Sequence, residues 1–148
     1  MLSVICPIYN EEKYIAKCIE SIVQQDYPKD KLEILFVDGM STDHTREIIE
    51  QYTKEYPYIR IIDNPDKVVP HAMNRGIMAS TGDVIIRLDA HAVYPTNYFS
   101  KLIEGLHQHQ ADNVGAQCRT LPVNQSTTSI AIAEALASSF GVGNAMFR

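Results

Sequence analysis

Asp89 and His91 stand two residues apart in Asp89-Ala90-His91, directly after an apolar run. In an extended chain residues two apart point to the same side, so this spacing turns a carboxylate and an imidazole towards one ion. The ligand mix suits Mn²⁺ and, less selectively, Mg²⁺ or Zn²⁺. A divalent ion there would neutralise a pyrophosphate and stabilise a departing nucleoside diphosphate. An isolated Asp-x-His is more often a capping carboxylate beside a surface imidazole. What makes this one a candidate is its company: Tyr9 and Asn10 end one earlier apolar run, and Asp38 and Gly39 end another.

Each companion has a chemical and a structural reading. Tyr9 could lay its ring against a nucleobase. Asp38 could accept hydrogen bonds from a base N–H or a ribose hydroxyl, or simply cap, and Gly39 permits close backbone approach or a positive φ. Asn10 and Glu11 read as an N-cap and a favourable first-turn charge, and Asp43 as the cap of the next helix. Arg75 could meet a phosphate or be an ordinary helix-surface arginine, and Asn74 could tie its helix to a neighbouring loop. Lys67 and Arg87 are further partners for phosphate or carboxylate. Arg87 lies on the same face as Asp89; if buried it needs an acid, and Asp83 or Asp89 could serve. His44, His107 and His109 show no ligand spacing and read as surface residues.

The elements that must hold these residues alternate. Apolar runs at Leu2–Ile8, Leu32–Val37, Ile59–Ile62 and Val84–Leu88 predict strands. Helical spacing predicts helices over Glu11–Gln25, from Thr42 or Asp43 to Tyr56, over Val69–Ala79 with Pro70 in the first turn, over Pro95–Gln110 and over Ser126–Phe140. Asn113–Arg119 reads as a further strand. Strands alternating with helices mean an α/β fold with a mostly parallel sheet, and such sheets bind ligands beyond the carboxyl ends of their strands. Tyr9, Asp38 and Asp89 all fall at those ends. A dinucleotide site is disfavoured, because no G-x-G-x-x-G turn follows the first strand.

Composition narrows the class. The 148 residues are 45% hydrophobic and 21% charged, with a net charge of -5, which fits one globular domain. The acidic balance argues against a nucleic-acid footprint. Three widely spaced cysteines, Cys6, Cys18 and Cys118, without a CxxC, suit a reduced, cytoplasmic protein. No signal peptide and no stretch of membrane-spanning length is visible, so the chain is expected to be soluble.

The motifs together resemble the inverting family 2 glycosyltransferases. Val4-Ile5-Cys6-Pro7-Ile8-Tyr9-Asn10-Glu11-Glu12 is similar to that family's opening strand and loop. Phe36-Val37-Asp38-Gly39-Met40-Ser41-Thr42-Asp43 is similar to its second motif, and Asn74-Arg75-Gly76-Ile77 through Gly82-Asp83-Val84-Ile85 to the helix and strand leading to its Asp-x-Asp motif. Here that motif reads Asp-x-His, as in polypeptide GalNAc-transferases, where the His is a metal ligand. Asp89-Ala90-His91-Ala92-Val93-Tyr94-Pro95 and Ser138-Ser139-Phe140-Gly141-Val142-Gly143-Asn144 through Arg148 resemble the succinoglycan-biosynthesis subgroup.

The resemblance implies a GT-A (Rossmann-like) sheet flanked by helices. It implies a UDP-sugar donor on Pro7, Tyr9, Glu11, Asp38, Asn74, Arg75 and Asp89, Mn²⁺ or Mg²⁺ on Asp89 and His91, and a glycan or lipid-linked acceptor. The family's general base is an acid beyond the metal motif. After Arg119 the only acid is Glu134, within an apolar helix, so residues 1–148 are expected to be the donor-binding part of a longer protein truncated at its C-terminus. Base, acceptor elements and any membrane association would lie beyond Arg148. Two rivals remain: a nucleotidyltransferase, which would want a Gly- and Lys/Arg-rich loop after the first strand, and a non-catalytic α/β nucleotide-binding domain.

Overall fold

The computed structural model describes residues 1–122 and 124–138. Four strands, β1 (Leu2–Ile8), β2 (Leu32–Asp38), β3 (Ile59–Asp63) and β4 (Val84–Arg87), form one parallel sheet in the order β3-β2-β1-β4. The helices are α1 (Ile15–Val23), α2 (Thr45–Glu55), α3 (Val69–Ala79), α4 (Tyr98–Gln108) and α5 (Thr127–Ala137). The α/β architecture expected from the alternation of apolar runs is the one observed.

Residues 1–100 form one compact unit and residues 101–148 another. In the first, β2 is buried along its whole length, as a central strand covered on both faces should be. Ile5, Leu35, Val37 and Ala72 form a cluster where α3 lies on β1 and β2. Gly76 makes that approach possible, since a Cβ there would sit 2.5 Å from Ile5 Cγ2. In the second unit α5 begins at Ser126, whose side chain accepts from Ser129 N–H. It ends at Ala137, short of the Phe140 expected, because Ser138 is already extended, with φ -87° and ψ 143°.

Register aligns the strand ends. Ile8 pairs with Asp38 and Asp38 with Asp63, while Arg87 stands beside Ile5. The carboxyl ends of all four strands therefore open on one edge of the sheet.

The opposite edge carries a feature the apolar runs concealed. Glu33, in the middle of an apolar strand, is buried. It accepts from Ser3 Oγ at 2.6 Å, from the Thr81 N–H and hydroxyl, and from Arg60 at 2.9 Å, while Gly82 N–H donates to Ser3 Oγ. Burial alone would raise its pKa, but those donors outweigh burial and hold it below the ordinary glutamate value. The unfolded chain therefore binds this proton more readily than the folded one. The stabilisation is complete above the unfolded pKa, near 4.3, and drains away as pH falls through the lower folded value. Glu33→Gln should flatten the acid limb of a pH–melting curve below about pH 4.3; an unchanged acid limb would show that Glu33 does not govern it.

Several local expectations need correction. The first helix starts at Ile15, not Glu11, and Asn10 is no N-cap: it is left-handed, with φ 55°, and its Oδ1 accepts from Thr42 N–H at 2.8 Å. The chain turns over residues 11–14 before α1 begins. The fourth helix starts at Tyr98, not Pro95, and the segment ahead of it is held by the chain that follows α1: Gln25 Nε2 donates to Pro95 O and Asp26 N–H to Thr96 O. Asn113–Arg119 is not a strand. Its β-forming residues have no neighbouring strand among the described residues, and a strand without a ladder leaves its backbone unpaired.

Candidate functional site

At the carboxyl edge of the sheet lies a cavity of about 310 Å³. Pro7, Tyr9, Glu11, Gly39, Asn64, Lys67, Arg87, Asp89 and His91 all contribute to it, with Val68, Val69 and Ala72 from the start of α3. Of the residues singled out in the sequence, the structure thus gathers Pro7, Tyr9, Glu11, Gly39, Lys67, Arg87, Asp89 and His91 around one opening.

The loops that follow β1 and β2 are held to each other by hydrogen bonds. Asn10 N–H donates to Ser41 Oγ, Glu11 N–H to Thr45 Oγ1 at 2.7 Å and Glu12 N–H to Asp43 Oδ2. Asp43 Oδ1 meanwhile accepts from Thr45 N–H, so it secures the start of α2 and the neighbouring loop together. The left-handed residue of the second loop is Met40, φ 61°, not Gly39. Gly39 serves by close approach: a Cβ there would lie 3.3 Å from both Ile8 O and Tyr9 Cδ2. This clamping leaves Tyr9 half-exposed at the mouth, with its ring available.

The acid–imidazole pair lies beyond the end of β4 at Arg87, and Ala90 and His91 are in a turn closed by Ala92 N–H on Asp89 O, so the extended segment expected of Asp89-Ala90-His91 is not the one observed. Leu88 and Ala90 are buried, at 1% and 2% exposure, whereas Asp89 and His91 face out. Arg87 pairs with Asp89 at 3.1 Å, and His91 Nδ1 lies 3.3 Å from Glu11 Oε1. Arg87 is exposed rather than buried, because β4 is an outer strand of this sheet, but its partner is one of the two acids expected. Among the described residues no three His, Cys, Asp or Glu side chains enclose a common point. One carboxylate and one imidazole still fit a divalent ion that takes its remaining ligands from phosphate oxygens and water, the usual habit of Mg²⁺ and of ions like it.

Three expected residues sit elsewhere. Asp38 is buried and does not line the cavity: Oδ1 accepts from Ser41 N–H and Oγ, and Oδ2 from Arg46 at 3.3 Å. Arg75, on α3, is bound to Asp66 at 2.8 Å, and Asn74 beside it is exposed. His44, His107 and His109 are surface residues.

One residue went unnoticed in the sequence. Asn64, just beyond β3, is 1% exposed and lines the cavity. Its amide nitrogen donates to Val68 O and its backbone N–H to Asp38 O, yet Oδ1 has no partner. A buried acceptor left unpaired costs about 1–3 kcal/mol. In the sequence Asp63-Asn64-Pro65 looks like an ordinary strand-ending turn, and only burial sets Asn64 apart.

A four-stranded parallel sheet with an acid and an imidazole at the end of an outer strand defines a Rossmann-like α/β domain of the GT-A type. The chain belongs to glycosyl transferase family 2, whose model matches residues 3–138. It is 44% identical over 102 residues to a dolichyl N-acetyl-alpha-D-glucosaminyl phosphate 3-beta-D-2,3-diacetamido-2,3-dideoxy-beta-D-glucuronosyltransferase of Methanococcus voltae, covering 68% of this chain and 32% of that protein. It is 33% identical over 147 residues to the succinoglycan biosynthesis protein ExoA of Rhizobium meliloti, covering 98% and 44%. The mannosyltransferase PcManGT of Pyrobaculum calidifontis, solved with GDP-Man and Mn²⁺, superposes with a TM-score of 0.70 at 29% identity, over 90% of this chain and 39% of that one. Residues 1–349 of TarS from S. aureus, solved with UDP, superpose with a TM-score of 0.67 at 25% identity, over 82% and 38%. The chain therefore spans less than half the length of each of these proteins. No helix among the described residues is long and apolar enough to cross a membrane.

Proposed function

We propose that this chain is the donor-binding part of an inverting glycosyltransferase that draws on a UDP-sugar to build a polysaccharide. The observation that carries this is the convergence of Tyr9, Asn64, Lys67, Arg87, Asp89 and His91 on one cavity. In this reading the Tyr9 ring lies against the base, and the unpaired Asn64 Oδ1 accepts a base N–H. Asp38 Oδ2, whose Arg46 contact is long at 3.3 Å, accepts a hydrogen bond from base or ribose once Arg46 moves aside and uncovers it. Pro7 and Glu11 shape the wall, and Lys67 and Arg87 offset diphosphate charge. Asn74 and Arg75 join once Arg75 leaves Asp66.

Asp89 and His91 would hold Mn²⁺ or Mg²⁺, which supplies Lewis-acid stabilisation of the departing diphosphate. The acceptor hydroxyl attacks the anomeric carbon from the face opposite the diphosphate. The C–O bond to UDP breaks, and the proton passes to a carboxylate base that we place beyond Arg148. Residues 1–148 alone should thus bind donor and turn over little. The relatives support a lipid-linked glycan as acceptor, and the three free thiols suit work at the cytoplasmic face of a membrane.

A nucleotide panel tests the donor class. At 100 times its dissociation constant a ligand adds about 2.7 kcal/mol, so UDP with Mn²⁺ should raise the melting temperature by about 5–10 °C in a protein of this size. ADP should raise it far less. Asn64→Ala should erase most of the preference for UDP, about ten-fold in affinity, or 1.4 kcal/mol. A larger shift with GDP would keep the site and change the base. Equal shifts with every nucleotide would refute the base pocket.

A further inference from the structure

The segment after β4 is fastened at one residue in particular. The Tyr94 hydroxyl accepts from Asp89 N–H at 2.9 Å and donates to Asp89 O at 3.0 Å. Cys18 Sγ, from α1, approaches the same carbonyl at 3.8 Å. Ala92 N–H also donates to Asp89 O, and Leu88 N–H donates to Ile5 O in β1. Tyr94 itself is tied down. Its N–H donates to Ser21 Oγ on α1, and its ring lies 5.0 Å from that of Tyr98.

A side chain that grips the backbone N–H and C=O on either side of one Cα restrains that residue's φ and ψ, and with them the direction of its Cβ. The carboxylate of Asp89 is otherwise poorly constrained. It is more than half exposed, and its hydrogen bond within the strand end is to an equally exposed Arg87. Exposed pairs of this kind hold a side chain weakly.

We propose that Tyr94 is a positioning residue for the donor site: its hydroxyl fixes the backbone of Asp89 on both sides of the Cα so that the carboxylate meets the metal and diphosphate at the cavity edge. The six-residue loop from Asp89 to Tyr94 is then a closed ring that presents Asp89 and His91 as a preset pair. Removal of such outer contacts costs about 10–100-fold in metal affinity where ligand direction matters. The inference rests on the proposed metal–diphosphate role of Asp89.

The test compares the full 148-residue chain, Tyr94→Phe and Asp89→Ala by calorimetry of UDP with and without Mn²⁺, and by calorimetry of uridine. Tyr94→Phe keeps the ring and its packing. The expected result is that Tyr94→Phe reduces the Mn²⁺-dependent gain in UDP affinity about ten-fold, leaves uridine binding unchanged, and lets Asp89→Ala abolish the gain entirely. A full gain in Tyr94→Phe beside its loss in Asp89→Ala would overturn the positioning role while sparing the metal site. A gain that survives both changes would overturn the role together with the reading of the site. Equal weakening of uridine and Mn²⁺–UDP binding in Tyr94→Phe, with a lower melting temperature, would show a purely structural tie and likewise overturn it.

Discussion

Asp89→Ala should lower the affinity for UDP in the presence of Mn²⁺ by about 100-fold, roughly 2.8 kcal/mol at 1.4 kcal/mol per decade, and leave the melting temperature of the free protein almost unmoved. The two halves of this expectation come from different magnitudes. In the folded chain Asp89 makes one ion pair, with Arg87, and both side chains are more than half exposed. Such pairs contribute about 0–1 kcal/mol, so stability hardly depends on the carboxylate. A ligand of a divalent ion facing a diphosphate does far more, because the ion's charge offsets the phosphate charge directly. A melting temperature that falls in step with the affinity would mean that Asp89 acts through the fold.

Gly76→Ala should show the reverse pattern, a large loss of stability. The new methyl would lie 2.5 Å from Ile5 Cγ2 and 3.1 Å from Ile5 Cδ1. Ile5 cannot yield easily: it is 0% exposed and sits in β1, paired with β2 on one side and β4 on the other. Overpacking of this kind costs about 1–3 kcal/mol, against a gain of roughly 0.5–1 kcal/mol for replacing a helix glycine. The clash wins, and the melting temperature should fall by several degrees, at about 2–4 °C per kcal/mol for this length. Affinity should fall too, since Val68, Val69 and Ala72 at the start of α3 line the cavity. Gly115, whose added Cβ would meet nothing within 4 Å, is the control. Equal melting temperatures for the two variants would contradict the tight α3–β1 approach.

What the sequence revealed and what it hid follow from the range of the interactions involved. α3 was legible from Val69 to Ala79 because its signals are local: apolar spacing and a proline in the first turn. The strand ends carrying Tyr9, Asp38 and Asp89 were legible for the same reason, since apolar runs stop where polar residues begin. Asn10 misled because its side chain bonds to Thr42, 32 residues away, instead of to its own helix. Asn113–Arg119 misled because strand propensity says nothing about whether a neighbouring strand is there to pair with. Asn64 and Glu33 were invisible because burial gives them their meaning, and burial is a property of the assembled sheet. Residue chemistry left Asp38 and Arg75 each with a ligand and a structural reading, and family resemblance favoured donor contact for both. In the free protein Ser41 and Arg46 hold Asp38 and Asp66 holds Arg75, so their part must be tested with nucleotide present.

The central claim is that the diphosphate and its ion sit at the carboxyl edge of the sheet, between Asp89 and His91. Paramagnetic broadening reads that position directly. Mn²⁺ is added in small steps to the UDP-saturated, ¹⁵N-labelled chain, and amide signals are followed by NMR. The signals of Asp89, Ala90 and His91 should broaden first, then those of Glu11 and Gly39, while Thr81 and Gly82 at the opposite edge stay sharp. Broadening that begins at Thr81 and Gly82, or that spreads evenly over the protein, would contradict the site.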